Sequence, residues 1–252
     1  MLKGGLLLYA LVEEKSRPTK DVDFLARQIS NEINNIARIF KDICQTVCDD
    51  GLKFDGENLI VENIKEDADY QGVRVRVNCY LGHAIKTLQA DIGFGDIIIP
   101  KAEEMEYPAI LEMDYPDILT YSIESVIAEK FDAMITLAQV NSRMKDFYDI
   151  YIILNTREID GRVLYEAIFE TFQNRGTNLD INPIIFSTLF FRDNTKQSQW
   201  KGFLKRVAKQ EELEFEKVCT SIKVFLEPVY LCLLNETEFF GKWQPGSCIW
   251  LK

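Results

Sequence analysis

The chain of 252 residues carries 40 acidic against 29 basic side chains, with six cysteines and a single histidine. Its length suffices for a hydrophobic core without disulfide or metal staples and indicates two domains. The acidic balance argues against a broad electrostatic footprint for nucleic acid or an anionic membrane, although a local basic groove is compatible with it. With one histidine and no Cys-x-x-Cys pair, the sequence argues against zinc. The cysteines are predicted to be reduced, mostly core residues of a cytoplasmic protein.

Residues 1–15, MLKGGLLLYALVEEK, place a short apolar stretch after the glycine pair Gly4-Gly5. This stretch runs directly into Glu13 and Glu14 without a small-residue cleavage pattern, so we do not interpret it as a signal peptide. No run in the sequence approaches the roughly 20 apolar residues of a membrane span. The pattern predicts a short helix. The glycine pair indicates either a tight turn or a helix start whose N–H groups approach a phosphate.

Residues 16–25, SRPTKDVDFL, predict a β-strand with two aspartates on one face. Because side chains alternate along a strand, Asp21 and Asp23 share a face while Val22 and Phe24 point to the other. Like charges this close on a strand are destabilising by roughly 0.2–1 kcal/mol. We therefore expect either water to screen the pair or a cation to lie beside it.

The remainder of the first half predicts an α+β architecture. Residues 26–47 carry apolar side chains at helical spacing and predict an amphipathic helix. Three strand-like segments follow at residues 58–64, 72–81 and 85–94. We predict a polar turn at residues 67–72, between the first two. Strict alternation in GVRVRVNCY places Arg74 and Arg76 on one face, where they are solvated, paired with neighbouring acids, or line a polynucleotide or triphosphate path.

A third carboxylate lies in the segment KTLQADIGFGD. Asp91 falls on the polar face near the end of the last strand-like segment, whereas Asp96 follows two glycines and is interpreted as a turn residue. Joined to Asp21 and Asp23, Asp91 would complete a three-carboxylate cluster from two strands. Such a cluster binds Mg²⁺ through oxygen ligands and leaves positions open for phosphate oxygens.

The second half, after a proline-containing loop, is predicted to be helical. Ser122 is a candidate N-cap of a helix whose apolar stripe leaves Lys130 off to one side. A second helix, RMKDFYDIYIIL, carries Asp146 and Asp149 on its flank, where either could instead pair with a neighbouring base as an ordinary surface charge.

Further helical patterns cover residues 162–175 and 199–233. The aromatic-rich tail EFFGKWQPGSCIW, residues 238–250, is predicted to dock against the helical core. The alternative is that Trp243 or Trp250 is exposed and serves a partner.

Four ordered motifs in residues 2–154 carry a family resemblance: KGG…RPTKDVDF, QADIGFGD, ESVIAEKFDAM and RMKDFYDIY. They resemble the AbiEii-type nucleotidyltransferase toxins of type IV toxin–antitoxin and abortive-infection systems, within the superfamily related to polymerase β. The resemblance implies an α+β fold. A polymerase β-like nucleotidyltransferase domain with a mixed sheet would occupy residues 1–116, and a C-terminal helical bundle domain residues 117–252.

The same resemblance implies site roles. Gly4 and Gly5 would cradle nucleotide phosphates, and Lys130 would contact the triphosphate. Catalytic carboxylates fall at four positions, of which the first three would bind Mg²⁺, with two ions expected: Asp21, Asp23, Asp91 and Asp146. Asp91 would also activate the acceptor hydroxyl as a base.

The expected activity is Mg²⁺-dependent transfer of a nucleoside monophosphate from a nucleoside triphosphate to an acceptor hydroxyl. The resemblance suggests an RNA acceptor, the 3′ end of a transfer RNA, and a toxin whose DNA-binding antitoxin is encoded nearby. One alternative is nucleotidylation of a protein or of a small molecule such as an antibiotic. An alternative of another class is a catalytically idle nucleotide-binding protein, which the short stretch before the glycine pair would favour.

Overall fold

The computed structural model describes residues 1–67, 70–109, 111–207 and 213–252. Two compact units share the chain. One comprises Met1–Ala10, Pro18–Asp96 and Glu104–Thr120, and the other comprises Leu11–Arg17, Ile97–Glu103 and Tyr121–Lys252. We name them the sheet unit and the helical unit. The predicted domain boundary between residues 116 and 117 stays a prediction.

The sheet unit is built on a mixed β-sheet with two helices. In chain order its elements are β1 Leu2–Lys3, α1 Gly4–Val12, β2 Asp21–Ala26, α2 Ile33–Cys44, β3 Leu52–Phe54, β4 Ile60–Asp67, β5 Tyr70–Leu81, β6 Ala84–Phe94, β7 Glu103–Glu106 and β8 Asp117–Thr120. The strand order is β3-β5-β6-β2-β1-β8-β7, with β4 also paired to β5. Because β2 runs parallel to β6 and antiparallel to β1, the predicted mixed sheet of an α+β fold is confirmed.

One face of this sheet packs on α2. Ile36 of the helix joins a buried cluster with Val73, Val75, Ala90 and Ile92 of β5 and β6. Side chains alternate along a strand, so the residues between these apolar positions point to the opposite, polar face of the sheet. The alternation predicted for GVRVRVNCY is therefore confirmed.

The predicted helix at residues 26–47 is too long. Strand β2 continues to Ala26, which pairs with Phe94 of β6, and α2 begins only at Ile33. Between them Gln28 adopts a positive φ of 58°, and the Ser30 hydroxyl accepts a hydrogen bond from the Glu32 N–H. This turn chemistry interrupts the helical pattern.

The predicted polar turn at residues 67–72 is also too long. Strand β4 extends to Asp67 and β5 already begins at Tyr70. Residues 68–69 of the predicted turn lie outside the described residues. Strand pairing between β4 and β5 therefore takes in polar positions that the sequence pattern assigns to a turn.

The helical unit follows, with a small second sheet. Its elements are α3 Ile123–Leu137, α4 Met144–Thr156, β9 Ile159–Asp160, α5 Gly161–Arg175, α6 Thr188–Phe191, α7 Asn194–Arg206, α8 Phe215–Leu234, β10 Lys242–Gln244 and β11 Ile249–Leu251. Ser122 caps α3 as predicted, because its hydroxyl accepts a hydrogen bond from the Ser125 N–H. The helical pattern over residues 199–233 is divided between α7 and α8, and its residues 208–212 lie outside the described residues.

The aromatic tail docks on the helical core, as predicted. Strand β10 pairs with β9 and β11, which brings Trp243 into full burial. The Trp243 indole N–H donates to the Leu154 carbonyl at 2.6 Å, and its ring centroid lies 4.8 Å from that of Phe225. Trp250 stacks on the same phenylalanine. Both tryptophans therefore contribute to packing of the helical unit.

All six cysteines are free thiols, but the prediction that most lie in the core is wrong. Cys79 and Cys219 are buried, Cys48 is exposed and the other three are half-buried. In the described part of the chain, no helix is both long and apolar enough to cross a membrane.

We expect Trp243→Phe to lower the free energy of unfolding by about 1–3 kcal/mol, because the buried Leu154 carbonyl loses its donor while the aromatic bulk largely remains. Chemical denaturation followed by circular dichroism measures the change. The matched control is Phe240→Leu in the same tail, where the side chain is 61% exposed and the expected change is within about 0.5 kcal/mol. Equal effects of the two substitutions would contradict a specific role for the Trp243 hydrogen bond.

Candidate active site

The sheet unit places the three predicted carboxylates on one face. In the parallel pairing of β2 with β6, Asp23 is the direct partner of Asp91 and Asp21 is the partner of Gln89. Residues paired in register share a face, so Asp21, Asp23 and Asp91 all point to the polar side, opposite the core on α2. Asp21 and Asp23 are half-buried, and Asp91 is buried.

Cations flank these carboxylates on the neighbouring strands. In register, Lys3 of β1 is the partner of Asp23, and Arg74 of β5 is the partner of Asp91. Four adjacent strands thus align the residues Lys3, Asp23, Asp91 and Arg74 in one row, with the two acids between the two bases. This charge order offsets the repulsion that the sequence predicts for neighbouring carboxylates.

Asp96, which the sequence predicts only as a turn residue, forms a buried ion pair. Its carboxylate is buried and accepts a hydrogen bond from the Lys3 ammonium at 2.8 Å, and that ammonium is itself buried. A buried charge requires a partner, and this ion pair joins the chain after β6 to β1. Local sequence around two glycines indicates the bend but not the distant lysine.

The Arg74 guanidinium forms a bidentate ion pair with the Asp91 carboxylate. Its Nε donates to Asp91 Oδ1 and its Nη2 donates to Asp91 Oδ2, each at 2.7 Å. The hydrogen bond to Asp91 raises the pKa of Arg74, with further contributions from the charges of Asp91, Asp21 and Glu62 against the opposing effect of burial. The sequence-based expectation that Arg74 and Arg76 pair with neighbouring acids is confirmed, since Arg76 pairs with Glu62 at 2.9 Å.

The oxygen ligands on this face determine whether it could bind Mg²⁺. Among the described residues, no three or more His, Cys, Asp or Glu side chains are arranged to hold a metal ion. Both oxygens of Asp91 point at Arg74, so the predicted three-carboxylate cluster is not assembled. Mg²⁺ is commonly held by one or two carboxylates together with water and substrate phosphates. Asp21 and Asp23 meet that lesser requirement.

The glycine pair lies at the start of α1, and both glycines allow close packing. Gly4 has a φ of +70°, and a Cβ built there would lie 1.9 Å from Asp23 Oδ2. A Cβ on Gly5 would lie 2.8 Å from the Thr19 side chain. The Asp23 carboxylate therefore lies against the N-terminus of α1, where the helix dipole favours a negative charge. A role of Gly4 and Gly5 in cradling nucleotide phosphates stays a prediction.

The helical unit holds Lys130 and Asp146 in a buried ion cluster. The Lys130 ammonium donates to Asp146 Oδ1 and Asp149 Oδ2, each at 2.8 Å. Asp146 and Asp149 lie one turn apart on α4, so both face Lys130 of α3. Arg17 donates two hydrogen bonds from its Nε and one from its Nη2 to Asp149, and the Arg143 guanidinium lies 2.7 Å from Asp146.

Charge and burial oppose each other in this cluster. Burial by itself would raise the pKa of Asp146, but Lys130 and Arg143 outweigh it and hold that pKa below its usual value. For Lys130, burial would lower the pKa, but Asp146 and Asp149 outweigh it and the pKa is raised. The ion pair is therefore fully charged at neutral pH.

The alternative that Asp146 or Asp149 pairs with a neighbouring base is confirmed for Asp146 and Arg143, but these acids are buried and are not surface charges. The side chain of Lys130 is 11% exposed, and those of Asp146 and Asp149 are 0% and 2% exposed. Sequence reasoning also missed Arg17 as a partner of Asp149. The available signal was the position of this arginine four residues before Asp21, but only tertiary packing identifies its partner.

The family that the sequence matches defines the class of the protein as a nucleotidyltransferase. The family model described as "Nucleotidyl transferase AbiEii toxin, Type IV TA system" matches residues 1–221. Since this match covers most of the chain, the protein belongs to the AbiEii nucleotidyltransferase toxin family. The four motifs of residues 2–154 therefore identify the correct family.

Solved structures agree at the level of the fold. A candidate nucleotidyltransferase from H. pylori has a TM-score of 0.50 at 17% identity, with 95% of this chain and 89% of the other covered. JHP933 from Helicobacter pylori also has a TM-score of 0.50 at 17% identity, with coverages of 94% and 85%. A search among curated proteins finds no significant match.

We expect Gly4→Ala to lower the free energy of unfolding by about 2 kcal/mol or more, because the new methyl group forces the Asp23 carboxylate to move and an alanine is strained at positive φ. Thermal and chemical denaturation measure the effect. The control is Gly82→Ala, at a φ of +58° with no atom within 4 Å of the added Cβ, which isolates the backbone strain. Equal losses would show that contact with Asp23 adds nothing.

We expect Lys130→Ala to lower the free energy of unfolding by about 3 kcal/mol at neutral pH, because two buried carboxylates lose their shared ammonium. Lys145→Ala, an exposed lysine beside Asp146, should change it by less than about 0.5 kcal/mol.

The pH dependence distinguishes this electrostatic loss from lost packing. The lowered pKa of Asp146 means that the pairing stabilises the wild type above the unfolded-state pKa of about 4 and is lost as the pH falls through the folded-state value. The difference between Lys130→Ala and the wild type should therefore shrink below about pH 4. A difference that is constant with pH would point to packing alone.

Proposed function

We propose that this nucleotidyltransferase uses Mg²⁺ to transfer a nucleoside monophosphate from a nucleoside triphosphate to the hydroxyl of an RNA acceptor, the 3′ end of a transfer RNA. The observation that carries the proposal is the pair Asp21 and Asp23 on the polar face of β2, with Asp23 against the start of α1. A carboxylate pair beside a helix N-terminus combines oxygen ligands for a cation with N–H groups suited to anions.

The reaction is an in-line attack of the acceptor oxygen on the α-phosphorus, with formation of a new P–O bond and departure of pyrophosphate. Its catalysis consists mainly of positioning and charge stabilisation. Bound Mg²⁺ supplies positive charge to the phosphate oxygens and aligns the reacting groups. Asp21 and Asp23 would hold the ion, and Asp91, once released from Arg74, would serve as the base that accepts the proton of the attacking hydroxyl. We also propose a second ion, which Asp91 would help to bind only after its carboxylate is released from Arg74.

The glycines and Lys130 are assigned to the triphosphate. Gly4 and Gly5 leave the backbone at the start of α1 without side chains, so that phosphate oxygens can approach its N–H groups. Lys130 supplies a compact ammonium whose charged state is secured by Asp146 and Asp149. In this assignment Asp146 acts as the catalytic-motif carboxylate that keeps the Lys130 ammonium charged and oriented.

Membership of the AbiEii family supports a toxin role and a partner antitoxin. The RNA acceptor rests on the resemblance of the four motifs to these toxins, and the acidic composition of the chain contributes nothing to it. We place the protein in the cytoplasm, where nucleoside triphosphates and transfer RNA are available. We expect a DNA-binding antitoxin to be encoded nearby.

We expect the double substitution Asp21→Asn and Asp23→Asn to abolish transfer and to leave the fold intact or slightly stabilised, because two neighbouring negative charges are removed. The assay incubates wild-type and variant protein with each α-labelled triphosphate, Mg²⁺ and total RNA, and scores label in RNA. Thermal melts with and without Mg²⁺ and triphosphate report folding and ligand binding.

Parallel incubations with protein extract and with small acceptors serve as the acceptor control. Label in RNA alone supports the proposal, and label in protein or small molecules identifies a different acceptor. Wild-type labelling by the double variant would show that the metal assignment is wrong.

A further inference from the structure

The Arg74–Asp91 ion pair creates a conflict at the proposed metal face. Asp91 is expected to help bind a cation, but in this structure a cation of the protein itself already occupies both carboxylate oxygens at 2.7 Å. A two-point contact between a guanidinium and a carboxylate is among the stronger hydrogen-bonded ion pairs in proteins. The side chains of Asp91 and Arg74 are 10% and 28% exposed, so water screens the pair only in part.

The positive charge of Arg74 also acts on two acidic side chains near Asp91. Its guanidinium interacts electrostatically with Asp21 and Glu62 in addition to Asp91. Glu62 forms an ion pair with Arg76 at 2.9 Å. Arg74 instead binds Asp91 by two short hydrogen bonds. Arg74 therefore supplies positive charge where a divalent ion bound to Asp91 would supply it.

We propose that Arg74 is a built-in competitor of the divalent cation for Asp91. In the substrate-free protein it keeps Asp91 out of the metal shell, so that Asp21 and Asp23 bind a cation weakly. Full recruitment of Asp91 requires exchange of its guanidinium partner for the metal. Arg74 is thus a positioning residue that sets metal affinity through Asp91. This inference rests on the proposed metal role of Asp21 and Asp23.

The test measures binding of Mn²⁺ alone to the full chain, without nucleotide, by calorimetry and by electron paramagnetic resonance. Arg74→Gln should bind Mn²⁺ about tenfold more tightly than the wild type, the fold-change that corresponds to loss of a competing charge-assisted contact. Arg76→Gln is the matched control, since Arg76 lies two residues along the same strand face and pairs with Glu62 instead. Its affinity should stay within about twofold of the wild type.

A double-mutant cycle assigns the effect to Asp91. In an Asp91→Asn background, Arg74→Gln should no longer tighten Mn²⁺ binding, because the contested carboxylate is absent. A purely structural role of Arg74 would lower the melting temperature without this dependence on Asp91. If Arg74→Gln does not fold by circular dichroism, Arg74→Lys replaces it. Lysine keeps the positive charge but cannot form the bidentate contact with Asp91. We therefore expect its Mn²⁺ affinity to lie between those of the wild type and Arg74→Gln.

Several outcomes would overturn the inference. Unchanged Mn²⁺ affinity in both Arg74 variants would do so, as would equal tightening by Arg74→Gln and Arg76→Gln, which would reflect net charge alone. Either result leaves the proposed function standing if Asp21→Asn with Asp23→Asn still abolishes Mn²⁺ binding. Failure of the wild type and of every Arg74 variant to bind Mn²⁺ would contradict both the inference and the metal assignment.

Discussion

The accumulation of carboxylates on one face of the mixed sheet is the constraint on which the site depends. Asp23 and Asp91 are direct partners across β2 and β6, so the strand register keeps their negative charges at neighbouring positions of one face. The protein resolves this by placing Lys3 and Arg74 on the next strands in the same register. The sheet order β5-β6-β2-β1 is therefore also the order of charges, and the stability of the site cannot be separated from strand pairing.

The helical unit also pairs acidic with basic side chains, and its acidic side chains are almost fully buried. Lys130 is held by two carboxylates of α4, which are also paired with Arg17 and Arg143, so three bases surround two acids. Buried charges require partners and hydrogen bonds, so these side chains form one network. A substitution in either charge cluster consequently changes folding as well as chemistry, and measurements of activity need a parallel measurement of stability.

The family model places the chain in the AbiEii family, and two H. pylori structures share its fold. In this chain both carboxylate oxygens of Asp91 are bound by Arg74. Metal affinity would then be set partly by a residue that contacts neither the metal nor the nucleotide. Arg74 also offsets the repulsion between Asp91 and the neighbouring carboxylates when no divalent ion is bound.

Sequence patterns correctly predict the family, the α+β class, the strand that carries Asp21 and Asp23, and the alternation that separates the polar face from the α2 face. These depend on local periodicity and ordered motifs, which survive without knowledge of distant contacts. Element ends were less predictable. The predicted helix over residues 26–47 and the predicted turn at 67–72 are too long, because strand pairing and turn hydrogen bonds override local pattern. The partners of Asp91, Asp96 and Lys130 are visible in the three-dimensional structure but not in the sequence, because each ion pair joins residues that are distant in the chain and a sequence pattern carries no signal of their approach.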